Sequence, residues 1–317
     1  MLPSFRIGLF PKWVDYHSIN QYENTNISLK KLSDTTAYLG LSSFFLNEIE
    51  TEQVTDFIKS ISDSCYQNLI IDLRNNHGGS DEICAKIFSY IAQRPFKIYE
   101  FSKVNKQADF NFFKHTSNYA GEGMDLFTDY IPVKGKTGFY LFNNEQINPD
   151  TLVNFKGKIF VLVNERSFSA STIFPGLVYK HHRGAIVGRE TGTTYYQMNA
   201  QEFARLRLPN STIDIQIPLI KIVFDSQLDE HIPWGRGVLP DFPVPFTIDE
   251  LAFTNGDVIL DYTLQLIQDG QYIQAPVAIS EENSSAKYLY LIAILLGAGL
   301  LFIVFRKRFR KSSAVKQ

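Results

Sequence analysis

Leu69-Ile-Ile-Asp-Leu-Arg-Asn-Asn-His-Gly-Gly79 decides how this chain is read. Its apolar, β-branched start reads as a buried strand. The two glycines directly behind it mark a place where the backbone can bend and turn its N–H groups toward a ligand. Lys158–Val163 is a second buried strand, and it leads into Ser167-Phe-Ser-Ala-Ser171. Ser169 is small and sits at a strand-to-helix junction, where a nucleophile can be exposed. Together the two segments suggest acyl transfer by a serine, and a hydrolase is the first reading to test.

Working outward, Thr36–Leu41 reads as a short strand. Val54, Phe57, Ile58 and Ile61 carry the spacing of an amphipathic helix. Asp81 is expected to cap a further helix through Gln93, with Ile83, Ile87 and Ile91 along one face. Gly184–Gly188 is another strand and ends at Glu190-Thr-Gly-Thr-Thr194. Phe203–Leu208 and Ile213–Ile217 alternate as a β pair around Pro209-Asn210-Ser211. Asp257–Gln268 reads as a last helix. Strands alternating with helices imply an α/β core. Ile173, Phe174, Leu177 and Val178 would face inward on the helix after Ser169, while Pro175 predicts a kink or a delayed start there. Residues 1–35 read as a lead-in or a truncated upstream module. Residues 105–154, rich in Asn, Gly, Lys and aromatics, read as an insertion or a surface excursion.

The 317 residues are 44% hydrophobic and 20% charged, which suits a globular body with a sizeable core. A net charge of −2 offers no basic field for nucleic acid. Cys65 and Cys84 lack a metal-ligand spacing and read as buried free thiols, with a disulfide open if the domain is extracytoplasmic. The sequence has no HExxH, no phosphate loop and no cysteine–histidine cluster, so neither a cofactor nor a metal is expected. Residues 270–287 read as a linker to Tyr288–Phe305, an uncharged apolar run long enough to cross ~30 Å of hydrocarbon as a helix. Arg306, Lys307, Arg308, Arg310 and Lys311 follow it at once, and Glu281 and Glu282 precede it. The positive-inside rule then places the basic tail (306–317) in the cytoplasm and the large domain outside it. The amino terminus lacks the basic start and apolar stretch of a secretory signal.

From Thr36 to Asp269 the chain resembles the S41 peptidases, the C-terminal processing and tricorn-type serine proteases. The resemblance rests on Leu69–Gly79, Val161–Ser171, Ala185–Gly192, Leu206–Ser211 and Gly235–Asp241, in that order. It implies a crotonase- or ClpP-like core of ββα units over residues 36–269 and a peptide or unfolded protein end as substrate. Ser169 matches the family nucleophile. Its oxyanion would be held by the N–H of Ala170 and an N–H from the Gly78-Gly79 turn. The C-terminal processing enzymes carry a lysine base at a spacing that, counted without gaps, lands on Thr194, and a glutamate where this chain has Thr172. A tricorn-type arrangement needs an early histidine, for which His17 and His77 are the candidates, and a later carboxylate, for which Glu190 is the candidate; Glu190 could orient a base or bind substrate. The base stays open at this point. So does the rival reading, a catalytically degenerate member that binds peptides or envelope partners.

Four features read as structural. Asp72 with Arg74 would fix a strand end, and Arg236 with Asp241 would scaffold a turn. Ser171 would cap the helix behind Ser169. His181 and His182 would be solvated cations or partners of a helix dipole.

Overall fold

The computed structural model describes residues 25–104, 131–137, 139–141, 145–245 and 256–272. The chain divides into two units, Met1–Ile273 and Gln274–Gln317, and every described residue belongs to the first. Among the described residues no helix is long and apolar enough to cross a membrane. The Tyr288–Phe305 run, His17 and most of the 105–154 segment lie outside the described residues.

The main sheet has six strands, in the spatial order β1 (Ile27–Lys31), β2 (Thr36–Leu41), β3 (Asn68–Asp72), β7 (Lys158–Val163), β8 (Ala185–Gly188) and β11 (Phe242–Pro243). β1 is antiparallel to β2, and the rest run parallel. The last part of the lead-in thus supplies an edge strand, with Leu29 opposite Leu39. A parallel sheet must be covered on both faces, and side-chain alternation divides the strands accordingly. Leu69, Ile71, Ile159, Val161, Val163 and Ile186 pack on one face with α1 (Glu48–Ser62), α2 (Asp81–Ser89) and α3 (Ala170–Lys180). Ile70, Phe160, Leu162, Ala185 and Val187 pack on the other with Ile259 and Leu266 of α4 (Val258–Gln268).

A second, antiparallel sheet is built from β4 (Phe101–Val104), β5 (Ile131–Pro132), β6 (Phe139–Leu141), β9 (Gln197–Arg207) and β10 (Asp214–Val223), in the order β5-β6-β4-β10-β9. The expected β pair is the distal half of the β9–β10 ribbon, with Leu206 opposite Ile215.

The helix boundaries follow side-chain chemistry. Asn47 and Glu50 form a reciprocal capping box that opens α1. Ser80, not Asp81, caps α2, its Oγ accepting from the Ile83 N–H at 3.2 Å. That helix ends at Ser89 rather than running to Gln93. The delay expected from Pro175 does not occur, since α3 starts at Ala170 and continues through Pro175. Proline leaves the Ser171 carbonyl without an intrahelical donor. Burial of Ile173, Phe174, Leu177 and Val178 against the core outweighs that loss.

Candidate active site

β3 and β7 are neighbours, so the loops behind them meet. Asn76, fully buried, organises the first loop: its Nδ2 donates to Leu41 O at 2.9 Å, and its Oδ1 accepts from Gly78 N at 2.8 Å. Asn164 and Ser167 organise the second. Asn164 Oδ1 accepts from Asn75 N at 3.0 Å, and Ser167 Oγ donates to Leu73 O at 2.8 Å. The Phe168 N–H donates to Asn76 O at 3.0 Å and brings the loops together.

Gly78 is required at this crossing. Its φ of 101° is unfavourable for residues with a Cβ, and an added Cβ would lie 2.6 Å from Ser169 Cβ and 3.1 Å from Ala170 N. Gly79 forms a parallel bridge with Phe44: Phe44 N donates to Gly78 O, and Ser80 N donates to Phe44 O. In that pattern the N–H of Gly79 points away from Phe44.

Ser169 occupies the cap position of α3 with φ 53° and ψ −123°, and its side chain makes no capping bond. A serine at a helix start ordinarily adopts extended backbone and uses its hydroxyl as a cap. Here it does neither. A non-glycine residue held in such a sparsely populated region costs about 1–3 kcal/mol, sustained only by its surroundings. Those surroundings include Thr193, whose Oγ1 accepts the Ser169 N–H at 2.9 Å. No described hydrogen bond uses the N–H of Ala170 or Gly79. Ala170 opens α3, where the partial positive charge of the helix end lies.

The loop carrying Thr193 is fixed from its other side. Glu190 Oε1 accepts from Arg236 Nε at 2.8 Å and from Gly237 N at 2.7 Å, and its Oε2 accepts from Arg236 Nη2 at 2.5 Å. The Arg236 guanidinium, which outweighs the opposing effect of partial burial, holds the Glu190 carboxyl below its ordinary range. Thr191 Oγ1 donates to Thr193 O at 3.2 Å and accepts from Val238 N at 2.9 Å. Gly192 N donates to Ser167 O at 3.0 Å.

The site thus joins a strand–turn–helix serine with positive φ to a glycine turn packed directly against it, an arrangement that can serve acyl transfer. Residues 35–244 match the family model for peptidase family S41. The chain belongs to peptidase family S41. A protein of Chlamydia trachomatis serovar D is 25% identical over 252 residues, covering 68% of this chain and 40% of the relative. An uncharacterized protein of Chlamydia muridarum is 26% identical over 147 residues, covering 45% of this chain and 23% of the relative. The chain therefore spans less than half the length of either. In fold it resembles CPAF, solved in its mature form in complex with lactacystin, with a TM-score of 0.54 and 19% identity over 77% of this chain and 54% of that one. A peptidase candidate from Parabacteroides merdae gives a TM-score of 0.50 at 18% identity, over 86% of this chain and 73% of that one.

Within this S41 domain the predicted residues are distributed unevenly. Ser169, Ala170, Gly78 and Gly79 are brought together. Gly78 already donates its N–H to Asn76, so its contribution is the absent Cβ, while the N–H of Gly79 has no partner among the described residues. His77 is exposed, and its ring stacks on Phe168 with centroids 5.9 Å apart and planes 8° from parallel. Glu190 is paired with Arg236, and no described hydrogen bond joins it to a histidine. Its carboxylate braces the loop that carries Thr193 through Arg236 and Gly237.

Ser171 does not cap α3: its Oγ is buried with no partner among the described residues. Thr172 Oγ1 instead donates to Ser167 O at 2.9 Å. Arg74 forks onto Asp72 as expected and also reaches Asp257 at the start of α4. Both described cysteines are free, Cys65 exposed and Cys84 buried. Among the described residues no group of three His, Cys, Asp or Glu side chains is arranged to hold a metal ion. Asn76 and Thr193 are the residues that sequence reasoning missed. The only hint of Thr193 was the count for the family lysine, which fell one position away, on Thr194.

Proposed function

We propose that this chain is a serine peptidase that hydrolyses peptides or unfolded protein ends through an acyl-enzyme on Ser169. One observation carries the reading: the Ser169 backbone is held at φ 53° and ψ −123° at the start of a helix while its hydroxyl is left out of capping. Strain without a structural use for the side chain points to a reactive use. In the proposed step Ser169 Oγ attacks the scissile carbonyl as its proton passes to a base. The Ala170 and Gly79 N–H groups receive the oxyanion, aided by the positive end of α3. The base then returns the proton to the leaving amine, and water releases the acyl group in a second step.

His77, whose ring has no described hydrogen-bond partner, and His17 are the candidates for the base. A fluorophosphonate probe tests the proposal on the full chain. The expected outcome is covalent labelling of the wild type, none of S169A, and strong suppression in whichever of H77Q and H17Q removes the base. Failure of the wild type to label would overturn the peptidase reading in favour of a peptide-binding relative without catalysis.

The same proposal anchors the enzyme in a membrane by Tyr288–Phe305. The domain would be extracytoplasmic, over a crotonase- or ClpP-like core. The support is the apolar run and the cations that follow it.

A further inference from the structure

The two lips of the site are built alike. On each, two consecutive backbone N–H groups are available and a side chain takes the first. Asn76 Oδ1 accepts from Gly78 at 2.8 Å, which leaves Gly79. Thr193 Oγ1 accepts from Ser169 at 2.9 Å, which leaves Ala170. Asn76 belongs to its own turn, two residues from the amide it holds. Thr193 comes from the loop between β8 and β9 and reaches across to the nucleophile.

Ser169 needs such a partner. As the cap residue its N–H has no acceptor within α3. Its positive φ turns that N–H away from the direction a normal cap would give it. A hydroxyl acceptor on this N–H fixes the Phe168–Ser169 peptide plane. With φ and ψ of Ser169 then set, the orientation of the next peptide, and of the Ala170 N–H, is set too. Thr193 is itself held at its carbonyl by Thr191 Oγ1, and the Glu190–Arg236 pair braces the same loop through Gly237.

We propose that Thr193 is a positioning residue for catalysis: it holds the Ser169 turn so that the serine hydroxyl and the Ala170 amide face the same carbonyl. The role rests on the peptidase reading above. The position that a count from the serine assigns to a lysine base is thus beside a residue with a different task. Thr193 accepts a hydrogen bond from the Ser169 N–H and takes no proton from the nucleophile.

The test compares wild type, T193V and T193S in the full chain, by saturation kinetics with an alkyl fluorophosphonate. Valine keeps the shape and removes the acceptor; serine keeps the acceptor. Loss of an oxyanion donor costs about 100- to 1,000-fold in related chemistry, and a donor left in place but loosely held is expected to cost about 10- to 100-fold in the maximal inactivation rate. Probe affinity should change by less than about twofold, because ground-state binding does not use the oxyanion geometry. T193S should recover to within about threefold of wild type. Amide exchange over residues 167–172 should accelerate in T193V and not in T193S.

Equal inactivation rates in wild type and T193V overturn the role of Thr193 and leave the peptidase reading intact. An unlabelled wild type overturns both. A T193S as slow as T193V, at normal probe affinity, also overturns it, since the acceptor would then not be what matters. If T193V does not fold, T193A removes the same acceptor and is held to the same outcomes.

Discussion

Gly78 has two reasons to be glycine, and they can be separated. Its φ of 101° carries a conformational cost for any other residue, and its missing Cβ makes room for Ser169 Cβ. Gly135 has the first reason without the second, with φ 79° and nothing within 4 Å of an added Cβ. G135A should therefore lose only the left-handed penalty, about 1–2 kcal/mol, and keep its reactivity toward a fluorophosphonate. G78A adds a 2.6 Å clash against the nucleophile and should lose labelling altogether. Denaturant midpoints and probe labelling of the two variants check this, and a reactive G78A would contradict the crossing-loop geometry. At this scale Ser169 and the glycine pair were legible because each lies in a local pattern: a strand, then a turn, with small residues where backbones approach. Asn76 and Thr193 were not. Each works by accepting one backbone N–H, and neither residue type in a loop announces which N–H that will be. Thr193 meets Ser169 only because β7 and β8 lie side by side.

The helices that could be read from apolar spacing were read correctly in their buried faces and less well at their ends. Val54, Ile58 and Ile61 of α1 and the inward set of α3 are buried. The end of α2 was misplaced because Ile91 stays buried after the helix has stopped, so the apolar period outlasts the structure. The C-terminus of α3 shows a different limit. His181, read as a solvated cation or a partner of the helix dipole, is the C-cap of α3, where it packs against the rings of Phe88 and Phe96 at 5.8 and 6.2 Å and accepts from Arg94 Nε through Nδ1 at 3.2 Å. Burial, then the cations Arg94, Lys180 and His182, push its pKa down from 6.5 to about 4. The sign of the consequence follows from linkage. The unfolded chain binds a proton at His181 below about pH 6.5 that the folded chain refuses until about pH 4, so stability is full above the first value and falls toward the second. H181Q keeps a hydrogen-bond acceptor for Arg94 and removes the titration. Between pH 7.5 and 4.5 the wild-type melting temperature should fall by more than that of H181Q, although other acidic groups lower both. Parallel curves would show that His181 does not report its burial in this way.

Across the whole molecule, strands alternating with helices implied an α/β core, and the two core clusters show its sheet covered on both faces. The second sheet was the least legible part. β5 and β6 are too short to display a period, and β4 pairs with β10 far along the chain. Neither core explains the Tyr288–Phe305 run, which belongs to the Gln274–Gln317 unit. The anchor proposed above rests on a stretch of this length without a charge, followed by Arg306, Lys307, Arg308, Arg310 and Lys311. The full chain should then stay with membranes through alkaline carbonate extraction, and its tail should resist protease added from the outside. Replacing both Leu295 and Leu296 by arginine puts two charges near the centre of the span at about 3 kcal/mol each, enough to abolish stable insertion. That double variant should move to the soluble fraction while its peptidase domain still labels with the fluorophosphonate, because Ser169 and the residues that hold it lie within Met1–Ile273. A wild-type chain released by carbonate, or a double variant that stays membrane-bound, would remove the anchor and leave the peptidase assignment untouched.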